Sequence, residues 1–272
     1  MSHYAVPVKQ PVVPAPAATL VLLRDRPAGS FEILLMQRHH ASKFAAGDFV
    51  FPGGKLEADD NPDDAVRWCA GLDLDAAART LGLEHAPATA LGYWIGAIRE
   101  TFEEAGVLLA THADGRPLRL PAARVAEYRR AIHADNRAFW TMIESEQLRL
   151  ATDRLVYFAH WVTPAGLPLR FDTRFFAAPM PDGQEALGDD HEMISLRWLA
   201  PREALDAQAR GEISLRNPTV RNLMLLEGDS AAAALERLRG REVRMIQPKV
   251  VFDANGTRRV FNPGDPGYDE LP

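Results

Sequence analysis

The sequence contains little cysteine, little lysine and no long apolar stretch. Cys69 is the only cysteine in 272 residues, so the chain cannot form an internal disulfide, which suits a reducing compartment. We expect its thiol to be a small buried apolar group rather than a nucleophile. Only four of the 31 basic residues are lysine, no basic run is present, and the net charge is −6, which argues against nucleic acid or an anionic membrane as a partner. No stretch approaches the ~18 apolar residues of a membrane-spanning helix, and the N-terminus lacks the pattern of a signal peptide.

The composition is that of an ordinary globular protein, with 47% hydrophobic and 25% charged residues. We expect a flexible N-terminal arm over residues 1–13, one domain over 14–240, and a C-terminal hairpin and tail over 241–272 that pack on the same domain. Asn255-Gly256 between two apolar runs is the signal for that hairpin. The abundance of arginine and alanine is typical of a GC-rich bacterial genome, so we predict a cytoplasmic, bacterial protein.

Apolar periodicity and turn residues predict an α/β protein. The predicted strands are residues 18–23, 31–36, 49–51, 107–110, 155–163, 171–178, 196–199, 244–252 and 257–261. The predicted helices are 62–68, 75–81, a long helix that begins at 87–89 and ends at Gly106, and then 121–133, 136–147, 201–210, 219–227 and 231–239.

The most informative stretch is residues 99–107, with the sequence RETFEEAGV. On a helix, the carboxylates of Glu100, Glu103 and Glu104 fall close together on one face. An apolar stripe occupies the other face, formed by Leu91, Trp94, Ile95, Ile98, Phe102 and Ala105. Like charges one turn apart cost roughly 0.2–0.5 kcal/mol per pair, and a hard divalent cation would bind them instead. The alternative is an ordinary charged face in contact with solvent.

Upstream, we expect the apolar residues 49–51 to form a short strand that ends in a turn at Gly53-Gly54, and glycines let a backbone approach a ligand closely. Gly-Gly followed by Arg-Glu-x-x-Glu-Glu-x-Gly resembles the Nudix box of the Nudix hydrolases. In that box a glycine, five residues, a glutamate and seven residues precede the Arg-Glu motif. Counted from Gly54, Asp60 stands in the place of that glutamate, and 38 residues separate it from Arg99. We therefore expect a helical insertion in the box, at about residues 61–90.

The resemblance implies the Nudix α/β/α sandwich, with a mixed β-sheet, the helical insertion and extra helices. It also implies hydrolysis of a nucleoside diphosphate linked to another group, with Mg²⁺ or Mn²⁺ as cofactor. The residues that it places at the metal are Glu100, Glu103, Glu104 and the carbonyl of Gly53. Arg99 would orient a neighbouring carboxylate, for which the count favours Asp60 and leaves Glu57 and Asp59 as alternatives.

The sequence alone does not identify the general base. Members of the family use either a box glutamate, here Glu100 or Glu103, or a carboxylate from a distant loop. The acidic loop before Trp198 offers such carboxylates, and Glu192 is the favoured one. An acidic loop that is merely solvated is the alternative reading. The other candidates in this loop are Glu185, Asp189 and Asp190.

A long insertion in the box is typical of one branch of the family, which includes coenzyme A diphosphatases. Residues 160–164, 170–176, 217–219 and 261–268 are similar to that branch. We therefore expect CoA or acyl-CoA as the substrate, with 3′,5′-ADP and phosphopantetheine as products. The CoA signature of related enzymes is matched in part, since His39 and Lys43 replace its Ser and Arg. The alternatives are ADP-ribose, NADH or another dinucleotide, or a nucleotide sugar, and a non-catalytic ligand-binding module.

Several basic residues are candidates for substrate contact. Arg170 and Arg174 are spaced so that both would point to one face of a strand, where they would bind anions or form surface ion pairs. The complete set of predicted substrate-binding residues is Arg38, Lys43, Gly54, Arg170 and Arg174. The sequence leaves open whether the insertion covers the active site or forms the interface of a homodimer.

Overall fold

The computed structural model describes residues 4–5, 12–27, 29–39, 46–188, 193–252 and 257–271. Its strands are β1 (Tyr4–Ala5), β2 (Ala15–Arg26), β3 (Ser30–Arg38), β4 (Phe49–Val50), β5 (Gly53–Lys55), β6 (Ala110–His112), β7 (Leu148–Leu150), β8 (Val156–Val162), β9 (Phe171–Pro179), β10 (Met193–Leu199), β11 (Met245–Ile246), β12 (Lys249–Phe252) and β13 (Arg258–Phe261).

The α-helices of the described residues are α1 (Leu74–Leu81), α2 (Pro87–Ala105), α3 (Ala122–Ala134), α4 (Ala138–Ser145), α5 (Pro201–Ala209), α6 (Asn217–Leu223) and α7 (Ala231–Arg239). Short 3₁₀ turns occupy Ala58–Asp60, Ala65–Trp68 and Thr152–Arg154. Within these ranges, none of the helices has the length and apolar character needed to cross a lipid bilayer.

A mixed sheet forms the centre of the molecule, with the strand order β10-β3-β2-β9-β8-β11. β2 is antiparallel to β5 over its first half, where Ala18 lies opposite Gly54, and antiparallel to β3 over its second half. Its other edge runs parallel to β9. β3 and β5 therefore share one edge of β2, and β5 lies beside its start. The predicted mixed sheet is confirmed.

The two faces of the sheet are covered by separate groups of helices. Along β2, Leu20 and Leu22 point into a core that also contains α1, α2, α3 and α4. Val21 and Leu23 point to the other side, into a core formed with α5, α6 and α7. This alternation is the period of a strand that is buried on both faces. The helix–sheet–helix layers confirm the expected α/β/α sandwich.

The insertion contains less regular helix than we predicted. The segment 62–68 forms only the 3₁₀ turn Ala65–Trp68, whereas α1 matches the predicted helix 75–81 to within one residue. Asp73 accepts a hydrogen bond from the Ala76 amide at the start of α1, and Gly82 ends this helix with a φ of 66°. The last residues assigned to the insertion form the first turn of α2.

Two strand predictions were wrong. Gly53-Gly54 does not form a turn, because both residues belong to β5 and pair with the start of β2. The predicted strand at 107–110 is displaced to Ala110–His112, because its partner is Leu148–Leu150, a strand that the sequence did not indicate. A three-residue strand is too short to show a period of its own.

The two ends of the chain meet. β1 pairs with β12, and β12 pairs with β13 across the predicted hairpin, so that Tyr4–Ala5 is attached to the C-terminal segment. That segment contacts the main domain, since Asn217 Nδ2 donates to Asn262 Oδ1 over 2.8 Å. β11 adds to the central sheet as a parallel neighbour of β8. The predicted strand 244–252 is therefore divided between two sheets, and it breaks at Pro248, which has no amide hydrogen.

Candidate active site

Helix α2 carries the predicted carboxylates and is buried on almost all sides. Pro87 lies in its first turn, and Gly106 follows its last turn with a φ of 68°, the left-handed conformation that suits glycine. All six members of the predicted apolar stripe are buried. The acidic face is not a solvated surface, because Glu103 and Glu104 are only 8% and 4% exposed.

Arg99 lies on this face and is 2% exposed. Its Nε donates to Asp60 Oδ1 over 2.7 Å, and its Nη2 donates to Asp60 Oδ2 over 3.0 Å. This is the bidentate geometry of a strong charge-assisted pair. The structure thus pairs Arg99 with the carboxylate that the count from Gly54 favours. Glu57 is exposed, and its backbone amide donates to Asp60 Oδ2 over 2.8 Å.

Two glycines on α2 allow Asp60 to come this close. A Cβ atom at Gly96 would lie 3.1 Å from Asp60 Oδ2, and one at Gly92 would lie 1.8 Å from Asn61 Oδ1. Side chains at these positions would force the turn that contains Asp60 and Asn61 away from the helix. The spacing of two glycines four residues apart on the helix could have indicated this contact, but a search for apolar periodicity does not detect such a spacing.

The guanidinium of Arg99 also serves the helix carboxylates. Its Nη1 donates to Glu103 Oε1 over 2.6 Å and to Glu100 Oε1 over 3.0 Å. Burial raises the pKa of Glu100 to about 7; Arg99 opposes this shift, whereas the negative charges of Glu103 and Asp60 add to it. One positive charge therefore faces several buried carboxylates, which leaves an excess of negative charge at the centre of this face.

Gly53 and Gly54 bring the edge of the sheet against the same carboxylates. The Gly53 amide donates to Glu104 Oε2 over 2.8 Å. Gly53 has a φ of 154°, and a Cβ atom there would lie 2.4 Å from the carbonyl oxygen of Ala18. A Cβ atom on Gly54 would lie 2.6 Å from the Glu100 carboxylate. Both positions therefore require glycine, the first for its conformation and the second for space.

Two further basic side chains approach the glutamates from outside. Arg38 Nη1 lies 3.8 Å from Glu104 Oε1, and His133 Nδ1 on α3 lies 3.8 Å from Glu103 Oε2. Arg38 was predicted as a substrate contact, and the structure places it beside the carboxylates. The sequence did not indicate His133, because it ends the predicted helix 121–133 but belongs to no motif.

This constellation agrees with a family model, described as the NUDT19 Nudix domain, that matches residues 12–226 of the chain. The chain belongs to the NUDT19 branch of the Nudix hydrolase family. Its Nudix box comprises Gly54, Asp60 and the α2 residues from Arg99 to Gly106, and the insertion separates the two halves of the box.

Known relatives are similar over most of the chain. The human acyl-coenzyme A diphosphatase NUDT19 is 28% identical, over 91% of this chain and 75% of its own length. The protein of the same name from Gallus gallus is 30% identical, over 89% of this chain and 74% of its own. A crystal structure of a Nudix hydrolase from Alicyclobacillus acidocaldarius matches with a TM-score of 0.68 and 26% identity, covering 82% of this chain and 96% of that chain.

Arg170 and Arg174 bind different partners. Arg170 directly precedes β9, and its guanidinium donates to the Val12 carbonyl over 2.7 Å and to the Thr163 carbonyl over 3.1 Å. Arg174 is 5% exposed and donates to Asp172 Oδ1 over 2.5 Å. Both arginines thus make internal contacts, and within the described ranges neither donates to a carboxylate of the Nudix box.

The motifs at 160–164 and 170–176 nevertheless meet in space. His160 lies opposite Arg174 on neighbouring strands, and its Nε2 contacts both Arg174 Nη1 and Asp172 Oδ1. The Arg174 guanidinium also lies 5.3 Å from the centre of the Tyr93 ring on α2. These two branch motifs therefore form a polar cluster beneath the first half of α2. Lys43, Asp189, Asp190 and Glu192 lie outside the described residues.

Members of this family use divalent cations. Among the described residues, no three His, Cys, Asp or Glu side chains are already arranged as a set of metal ligands, since the box glutamates bond to Arg99 and the Gly53 amide. The chemistry of the donors still fits a hard divalent cation. Carboxylate oxygens are the ligands that Mg²⁺ and Mn²⁺ prefer, and burial, which raises the pKa of Glu100, makes its ionised form depend on a nearby cation.

Proposed function

We propose that this Nudix hydrolase is a metal-dependent diphosphatase of CoA or acyl-CoA, which produces 3′,5′-ADP and phosphopantetheine or its acyl derivative. The proposal is carried by the combination of a complete carboxylate helix with similarity, over 89–91% of the chain, to proteins named acyl-coenzyme A diphosphatase. The family model spans the Nudix box and the branch motifs at 160–164, 170–176 and 217–219, so the similarity supports the substrate class as well as the reaction.

The residues proposed to hold the cation are Glu100, Glu103, Glu104 and the carbonyl of Gly53, and Mg²⁺ or Mn²⁺ is the proposed ion. When bound, the cation would neutralise charge on the pyrophosphate and acidify a water molecule. Arg99 orients Glu103 and Glu100 through its hydrogen bonds, and Asp60 fixes the guanidinium of Arg99. Gly54 leaves room for the Glu100 carboxylate.

Hydrolysis adds the oxygen of water to one phosphorus, breaks the bond between that phosphorus and the bridging oxygen, and passes a proton from the water to a base. Glu103, on α2, and Glu192, which precedes β10 in the sequence and lies outside the described residues, are the proposed bases. When the base is changed to glutamine, the pH–rate profile of the variant should lack its acidic limb, because the group whose protonation causes that limb is absent. Comparing the profiles of Glu103→Gln and Glu192→Gln therefore distinguishes the two.

Another substrate is the alternative. His39 and Lys43 stand where related CoA-cleaving enzymes have serine and arginine, and a lysine offers a phosphate a point charge rather than the fork of an arginine. This difference weakens the match to CoA-cleaving enzymes, so the alternative substrates are ADP-ribose, a dinucleotide such as NADH, or a nucleotide sugar.

The cytoplasmic location, the bacterial origin and the homodimer stay predictions from the sequence.

Product analysis tests the proposal. The purified protein is incubated with Mg²⁺ or Mn²⁺ and, in turn, with CoA, an acyl-CoA, NADH, ADP-ribose and a nucleotide sugar, and the products are separated by chromatography. We expect 3′,5′-ADP from CoA or acyl-CoA to form faster than AMP from the other compounds, and a Glu103→Gln/Glu104→Gln variant to be inactive. Faster release of AMP from another compound would contradict the CoA assignment, and no turnover with either metal would favour a ligand-binding module.

A further inference from the structure

We propose that Arg129, on α3, is a positioning residue for the glutamates of the Nudix box. It holds the C-terminal turn of α2, which carries Glu103 and Glu104, against the loop 181–188. The expected effect on catalysis rests on the proposed function, whereas the contacts that carry the proposal do not.

The guanidinium of Arg129 binds the main chain of the catalytic turn. Its Nε donates to the Glu103 carbonyl over 2.8 Å, and its Nη2 donates to the Glu104 carbonyl over 3.0 Å. Arg129 is 7% exposed, so these bonds are made away from bulk water. They hold the backbone of two residues that are both proposed metal ligands.

The same guanidinium also binds the loop. Its Nη1 donates to the carbonyl of Leu187 over 2.9 Å and to that of Gly188 over 3.2 Å. The Leu187 amide in turn donates to the Ala105 carbonyl over 2.8 Å. The Gln184 side chain bonds to both the amide and the carbonyl of Leu108, over 2.9 and 2.8 Å. Arg129 thus joins α3, the end of α2 and the loop in one network.

Arg129 can hold the end of α2 because the carbonyl groups at the C-terminal end of a helix lack hydrogen-bond donors. The last four carbonyls of a helix have no donor within the helix, and a cation near them is favourable. In α2 the Phe102 carbonyl accepts from the Gly106 amide at the helix end, and the other three have partners from elsewhere: Glu103 and Glu104 accept from Arg129, and Ala105 accepts from the Leu187 amide. Arg129 supplies two of these four donors, and its planar guanidinium fixes the directions of several donors at once, which the ammonium of a lysine does not.

The consequence for catalysis follows from how closely the carboxylates must be placed. A displacement of 1 Å at a reacting group can cost about 100-fold in rate. α3 also approaches the Glu103 side chain, because His133, one turn after Arg129, lies 3.8 Å from Glu103 Oε2. One helix therefore contacts both the backbone and the carboxylate of Glu103.

The test compares Arg129→Met and Arg129→Lys with Arg130→Met, which removes an exposed arginine from the next position of the same helix. We expect Arg129→Met to lower kcat about 10–100-fold with KM changed less than about twofold, Arg129→Lys to recover part of the loss, and Arg130→Met to match the wild type. Guanidinium at millimolar concentration should restore part of the activity of Arg129→Ala and leave the activity of Arg130→Ala unchanged. A rise in KM with unchanged kcat would overturn the proposal.

Hydrogen exchange supplies a readout that needs no substrate. In the folded variants, we expect the peptides that contain residues 103–109 and 183–188 to exchange about tenfold faster in Arg129→Met, and at the wild-type rate in Arg130→Met. Equal protection of these peptides in all three proteins would overturn the proposal, whatever the substrate is. If the wild type fails to cleave CoA while the exchange differs as expected, the proposed function fails and the role of Arg129 stands.

Discussion

At the scale of single residues, the chemistry of this site depends on one arginine that several carboxylates share. Arg99 bonds to Asp60, Glu100 and Glu103, and each of these bonds is at least partly shielded from water. The sequence favoured Asp60 as the partner of Arg99, because Asp60 stands in the place of the Nudix-box glutamate when residues are counted from Gly54. It did not indicate His133 and Arg129, because they come from a different helix and belong to no motif.

Asp60→Asn tests the pairing of Arg99. The change removes the negative charge that faces a buried guanidinium, so we expect a loss of about 3–5 kcal/mol in the free energy of unfolding. The diphosphatase rate should fall about 10–100-fold, because Arg99 loses the group that orients it. Glu57→Gln is the control, since Glu57 is exposed and lies in the same turn. We expect it to change the free energy of unfolding by less than about 0.5 kcal/mol. Equal effects of the two changes, measured by urea unfolding, would contradict the pairing.

Glu100→Gln tests the electrostatic strain of the acidic face. The pKa of Glu100 in the folded protein is about 7, above its ordinary value of 4.5, so the folded state holds a proton that the unfolded state releases. The metal-free wild type should therefore lose stability as the pH rises from about 4.5 to 7, and the loss should be complete above pH 7.

The glutamine variant cannot ionise and avoids that loss. In the presence of a chelator at pH 8 we expect it to be more stable than the wild type by on the order of 2 kcal/mol, and to show no such advantage near pH 4.5. Mg²⁺ should reduce the advantage at pH 8, because it stabilises the ionised carboxylate. The measurement is urea unfolding at both pH values, and a difference that does not change with pH would rule out the ionisation of Glu100 as its cause.

At the scale of elements, α2 is the helix on which the site depends, and the insertion packs directly against it. The sequence predicted α2 well because its apolar stripe is long and its last residue is followed by glycine. It predicted the start of the insertion poorly, because Ala65–Trp68 is a 3₁₀ segment without helical periodicity. β5 was missed for a related reason, since Gly53-Gly54 has the composition of a turn and is a strand only because β2 pairs with it.

The contact between Gly92 and Asn61 provides a prediction at this scale. Alanine at Gly92 would gain about 1 kcal/mol of helix propensity, but its Cβ would lie 1.8 Å from Asn61 Oδ1. We expect Gly92→Ala to destabilise the wild type and to stabilise an Asn61→Ala background by up to about 1 kcal/mol. Asn61 Oδ1 has no hydrogen-bond partner in the described part of the chain, so its removal breaks no bond of that oxygen. A double-mutant cycle measured by thermal unfolding checks whether the effect of Gly92→Ala on stability changes sign between the two backgrounds. Equal effects of Gly92→Ala in both backgrounds would show that Asn61 is not in close contact with α2 at Gly92.

At the scale of the whole molecule, the sheet with helices on both faces was predictable, and the joining of distant segments was not. Leu20, Val21, Leu22 and Leu23 form one continuous apolar run, and such a run is typical of a strand that is buried on both faces. By contrast, nothing local indicates that Leu148–Leu150 pairs with Ala110–His112, or that Tyr4–Ala5 pairs with β12. These pairings depend on neighbours that only the complete fold supplies.

The single thiol tests whether the insertion unfolds together with the rest of the molecule. Cys69 is 3% exposed, and burial raises its pKa to about 12, so the native protein should react with a thiol reagent at pH 8 only through opening. Its carbonyl accepts a hydrogen bond of 3.1 Å from Arg149 Nη2, and Cys69 forms an isolated bridge with Leu150, next to the core that contains α2.

We therefore expect Cys69 to be exposed only when this core unfolds. The labelling rate at increasing urea should then rise with the same dependence as global unfolding followed by tryptophan fluorescence, because both processes expose the same surface. Labelling that is fast and independent of urea would instead show that the insertion opens alone. In that case Asp60, which directly precedes the inserted segment, would be held against Arg99 by its own ion pair rather than by the packing of the insertion.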